Sequence, residues 1–218
     1  MYTLSKLSAS LYLLISFLFE YTYSISSSYD YYFLSLRHVK GICIERLCKY
    51  KPKIEWTIHG LWPNKFNNEH PAFCNRTKVD FSSFPKELIN SIESNWKNLY
   101  HNSTSSFLQN QWMKHGSCIN FERYNVPKGN EQLFFYNQVI ELFYLYTPEN
   151  YYYNTDENDF IDPYKLREAI LERFGSEFYM SCKTDKTTRK KYVVKLRVPL
   201  DRDFNLIKEF KQEKSNCF

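Results

Sequence analysis

Gln111-Trp112-Met113-Lys114-His115-Gly116-Ser117-Cys118 sets an amide, a cation and an imidazole close together and ends on a cysteine. Upstream, Trp56-Thr57-Ile58-His59-Gly60-Leu61-Trp62-Pro63 carries a second imidazole between two indoles. The later stretch has helical spacing: Phe107, Leu108 and Trp112 can pack, Gln111 and His115 lie four apart on one side, and Gly116 ends the run. The earlier one alternates as a strand, with Trp56 and Ile58 on one face and Thr57 and His59 on the other, until Gly60 and Pro63 break it. His59 is therefore expected at a strand end, away from the apolar face. Trp56 and Trp112 are read as core.

Working outward, residues 29–36 read as a strand, and 37–53 as a basic segment holding Cys43 and Cys48. Residues 64–73 are polar loop, and Phe84-Pro85-Lys86-Glu87 opens a helix through Leu88, Ile89, Ile92 and Trp96. The Ser/Thr/Asn-rich residues 101–106 read as exposed loop. Residues 131–146 form an amphipathic helix, 150–159 a tyrosine-rich acidic loop, 163–174 a helix stopped by Gly175, and 192–198 a strand. Helices fall in the middle, with strands before and after. The expected fold is α+β: one domain with an antiparallel sheet packed against several helices.

A length of 218 residues suits one domain after a leader. The 19 tyrosines and 18 phenylalanines must largely be core or binding surface. The formal charge of +5 is compatible with a polyanionic partner and equally with an ordinary basic secreted protein. Residues 1–28 read as a secretory signal, with Lys6 before a short apolar run over 11–19 and serines as cleavage sites. The mature domain is 29–218, expected to be extracellular, without a membrane anchor, and monomeric.

Export makes the six cysteines an expected set of three disulfides, with fifteen pairings open. A zinc site has little support, because no CxxC pair exists. Sequons at Asn75 and Asn102 are expected glycosylation sites on the surface.

Two imidazoles, one accepting and one donating a proton, suit phosphodiester transesterification, since the ordinary histidine pKa of ~6.5 lies near working pH. A fixed cation such as Lys114 stabilises the charge gathered in a phosphorane. An indole such as Trp62 can stack on a base. Neither metal nor cofactor is needed.

Residues 57–63 and the Lys-His-Gly-Ser-Cys run at 114–118 resemble the two active-site segments of the ribonuclease T2 family. Asp30-Tyr31, the Cys43–Cys48 loop, the helix holding Trp96, and Leu200-Asp201 resemble other parts of it. That resemblance implies an α+β fold and cleavage of single-stranded RNA through a 2′,3′-cyclic phosphate to 3′-phosphate ends, without metal. It implies His59 as general acid, His115 as general base and Lys114 as transition-state stabiliser. It also implies the pairs Cys43–Cys48, Cys74–Cys118 and Cys182–Cys217. Gln111 stands where many members carry glutamate and Asn110 where many carry histidine. An amide contacts a phosphate or imidazole but exchanges no proton. Arg37-His38-Val39 replaces the usual Gln-Trp-Pro. Trp62, Asn110 and Arg37 are the expected substrate contacts. Pro199 stands where four-disulfide members often carry cysteine.

Within the family, pI, leader, sequons and cysteines are most similar to plant self-incompatibility S-RNases. That likeness implies RNA as substrate and pollen F-box proteins as partners. The alternatives are an S-like enzyme of phosphate recycling or defence, and a weakened storage or recognition protein.

Overall fold

A computed structural model of the chain describes residues 28–50, 55–101, 103–153, 160–210 and 215–218. The leader up to residue 27 lies outside them. Strands β1 (Tyr31–His38), β2 (Trp56–Asn64), β3 (Tyr179–Thr184) and β4 (Lys191–Leu200) form an antiparallel sheet in the order β2-β1-β4-β3. Five helices accompany it among the described residues: α1 (Val39–Glu45), α2 (Lys86–Asn95), α3 (Thr104–Lys114), α4 (Glu131–Tyr146) and α5 (Pro163–Phe174). The fold is α+β, as the sequence predicts.

β1 is buried along nearly its whole length, because both sheet faces are covered. On one face Leu34, Leu36, Ile58, Leu61, Leu196 and Val198 share a core with Phe135, Tyr136, Val139 and Phe143 of α4. Each such side chain contributes roughly 1.5–3 kcal/mol by leaving water. On the other face α1 covers one end, where Val39 and Ile42 pack on Tyr192 and Val194.

The strand holding His59 differs from the alternation expected. β2 does not stop at Gly60; it continues to Asn64 with Gly60 paired to Ser35. Between Ser35 and Leu36 the register shifts, since Ser35 faces Gly60 and Leu36 faces Ile58. His59 is the extra residue of this β-bulge. A bulge changes the phase of the pleat, so Ile58 and Leu61, three apart, both reach the core. Pro63 is tolerated because β2 is an edge strand.

Three further differences have local causes. α1 lies inside the segment read only as basic; seven residues are too few to show a period, and the His38 side chain caps it by accepting from Gly41 N–H. α3 starts in the stretch read as loop, because Ser103 is its N-cap and accepts from Ser106 N–H. β3 was not expected, since only Met180 and Cys182 of its six residues are buried.

The cysteines pair as Cys43–Cys48, Cys74–Cys118 and Cys182–Cys217. Around Cys74, Phe73 N–H donates to Lys114 O at 3.2 Å and Asn75 N–H to Ser117 Oγ at 3.0 Å. This junction fixes the end of α3. Replacing Cys74 and Cys118 together by alanine is expected to cost roughly 3–4 kcal/mol through loop-closure entropy, read as a lower urea midpoint. An unchanged midpoint would show that the hydrogen bonds alone hold the junction.

Candidate active site

The bulge turns the His59 ring out of the core, and the buried Trp96 indole fixes its backbone, donating from Nε1 to His59 O at 3.3 Å. His115 follows the last residue of α3 as its C-cap, with its N–H bonded to Gln111 O at 3.1 Å. Trp62 stands beside both imidazoles: its ring lies 4.9 Å from His59 and 5.4 Å from His115, centroid to centroid. Phe107 lies 6.5 Å from the His59 ring and nearly parallel to it.

A cleft of about 480 Å³ gathers His59, Trp62, Asn110, Gln111, Lys114 and His115. Arg37 does not line this cavity, but its Nη2 hydrogen-bonds His59 Nε2. A guanidinium can only donate, so His59 Nε2 accepts and the ring is neutral. Gln111 is only 5% exposed, and its Oε1 accepts from Trp62 Nε1 at 3.3 Å. Gly60 makes that contact possible: a Cβ there would lie 2.2 Å from Gln111 Oε1 and 2.6 Å from Trp62 Nε1.

Burial holds the His59 pKa well below the ordinary histidine value, and Arg37, Lys195, His115 and Arg197 push the same way. His115 is pushed down to about 3 by burial, Lys114 and His70. Burial lowers Arg37 to about 10, against an opposing contribution from Tyr100. Nδ1 of His59 and Nδ1 of His115 are buried without a hydrogen-bond partner. The free cleft therefore holds two neutral imidazoles in a positive surround. It can take an anion, accept a proton on one ring and, once that anion offsets the cations, load a proton on the other.

Sequence reasoning missed Phe33, Asn64, His70, Phe107 and Arg197, which also line the cleft. The alternation of β4 carried a signal for Arg197, which shares a face with Lys195. His70 had none, being placed by a loop tied to α3. Of the sequons, Asn75 is exposed, with its Oδ1 accepting from Thr77 N–H and Oγ1; Asn102 lies outside the described residues. A larger depression of about 630 Å³ beside Phe160, Tyr164 and Tyr192 contains no imidazole. Its Asp162 and Asp185 cap a helix and a turn. No described helix is long and apolar enough to cross a membrane.

The model of the ribonuclease T2 family matches residues 29–217. The chain is 34% identical to intracellular ribonuclease LX of Solanum lycopersicum over 43% of its own length and 42% of that relative's. It is 24% identical to extracellular ribonuclease LE of the same plant over 74% of this chain and 72% of that one. The aligned segments thus span from under half to under three quarters of these relatives. Its fold is similar to that of the self-incompatibility-associated SF11-RNase of Nicotiana alata: TM-score 0.65, 18% identity, covering 86% of this chain and 94% of that one.

Gly60→Ala is expected to separate Trp62 from Gln111 and lower stability by about 1–3 kcal/mol, seen as a lower melting temperature. A variant melting like wild type would show that the two side chains yield freely.

Stability should also fall as pH drops from 6.5 toward 3. The unfolded His115 takes a proton there and the folded ring does not, so protons favour unfolding. His115→Gln should show a shallower decline in melting temperature across that range; parallel declines would contradict the buried, neutral ring.

Proposed function

We propose that this chain, which belongs to the ribonuclease T2 family, is an endoribonuclease that cleaves single-stranded RNA by transesterification, without a metal step. The observation that carries the reading is the pair of imidazoles that both lie against Trp62 in one cleft, with Lys114 beside His115.

His115 takes the proton of the 2′-hydroxyl, whose oxygen attacks the adjacent phosphorus. His59 gives a proton to the 5′-oxygen as the P–O bond breaks. The products are a 2′,3′-cyclic phosphate and a free 5′-hydroxyl. Water then opens the ring to a 3′-phosphate with the two roles exchanged. Each positioned proton transfer is worth about 10²–10⁴ in rate. Lys114 offsets the charge of the phosphorane, and Gln111 holds Trp62 in place beside the rings. The depressed pKa of His115 keeps the base unprotonated. The acid is loaded only when substrate phosphate offsets Arg37 and its neighbours.

Incubation with polyuridylate in EDTA should release cyclic-phosphate ends steadily, and His59→Ala and His115→Ala should each slow release by at least about 10²-fold. Near-wild-type rates in either variant would remove its role. The alkaline limb of kcat/KM should lie below pH 6.5, because the acid must be protonated and its pKa is lowered. Arg37→Gln should move that limb to higher pH; a limb unmoved would detach Arg37 from His59.

The finer biological role we propose is that of a secreted pistil S-RNase. A sequence pI near 8.7 and the apolar leader support it. Protein confined to pistils would agree. Accumulation in phosphate-starved roots or leaves would instead favour the S-like enzyme.

A further inference from the structure

Behind His59, next to the cleft but outside its lining, rings and guanidiniums alternate. The Arg37 guanidinium lies 6.0 Å from the centroid of Phe107 and 5.9 Å from that of Tyr100. Arg46, exposed, lies 4.5 Å from the same Tyr100 ring. Among the described residues neither guanidinium pairs with a carboxylate. Arg37 is mostly buried, its Nε has no hydrogen-bond partner, and its Nη2 rests on neutral His59. A cation withdrawn from water without a counter-anion is costly. This one touches two residues of the cleft wall, bonding His59 and lying against Phe107.

Polarity says which anion. If His59 protonates the departing 5′-oxygen, the leaving nucleoside lies on the His59 side, and its own 3′-phosphate comes next along the strand. We infer that Arg37 and Arg46, with the Tyr100 ring between them, bind the phosphate one nucleotide downstream of the scissile bond. The site therefore favours RNA that continues past the cut over a bare dinucleotide. This rests on the role proposed above for His59. Lys195, opposite Arg37 in the β1–β4 ladder, adds positive charge to the same side. When Arg37 turns to that phosphate it leaves His59 Nε2, so downstream binding and loading of the acid are coupled.

The test compares uridylyl-(3′→5′)-adenosine (UpA) with its 3′-phosphorylated form (UpAp) as substrates of the full protein at low salt. Wild type should cleave UpAp with about tenfold higher kcat/KM, the size of a charge-assisted contact, mostly through KM. Raising salt should shrink the gain. The UpAp:UpA ratio, taken within each variant, should fall toward one in Arg37→Gln. It should fall partway in Arg46→Gln, a surface change that the fold tolerates. Calorimetric binding of the uncleavable 2′-deoxy forms of both compounds makes the comparison without turnover. A protein that cleaves UpA but shows equal rates and affinities for the two ligands overturns the downstream site. A protein that binds the phosphorylated ligand more tightly yet cleaves nothing keeps the site and removes the enzyme.

Discussion

The contact between the Trp62 indole N–H and Gln111 Oε1 joins an edge strand to a helix, and the arrangement of the cleft follows from it. It needs a residue without a side chain at Gly60. It also needs the bulge that lets His59 and Trp62, three apart, both face the cleft. The helix is held just past that same C-terminal end by the Cys74–Cys118 crosslink. A second close approach supports the turn after His115: a Cβ on Gly116 would lie 2.8 Å from Trp112 Cε3. The two imidazoles are close because strand and helix are tightly joined, rather than through any direct bond between the rings.

Electrostatics gives that geometry its use. Lys114, Arg37, Lys195 and Arg197 all act on rings that burial has already made reluctant to ionise. Without a ligand this is a destabilising arrangement, offset by the large core between sheet and α4. A bound phosphate offsets those charges, while burial, the largest cause of the lowered pKa of both rings, stays in place. The cleft thus couples ligand charge to proton loading. Gln111 fits this scheme as a positioning residue, since its buried amide serves Trp62 and moves no proton.

Much of this was legible in the sequence. Helices 131–146 and 163–174 match their expected limits, because apolar periods and the stop at Gly175 mark them. Both histidine stretches pointed to one cleft. The bulge was not legible, because strict alternation assumes a regular pleat and an inserted residue shows only in the pairing partner. β3 and α1 were too short to announce themselves. Arg197 and His70 come to the site through a neighbouring strand and a tethered loop, and such contacts between distant residues leave no local pattern.

The most direct measurement is a crystal structure with uridine 2′,3′-cyclic vanadate, whose five-coordinate vanadium stands for the phosphorane. One vanadate should have oxygens within about 2.6–3.2 Å of a ring nitrogen of His59 and of His115 at once, with Lys114 Nζ beside them. A vanadate bound through a single imidazole, or seated in the depression beside Tyr192, would contradict the shared phosphate on which the account rests.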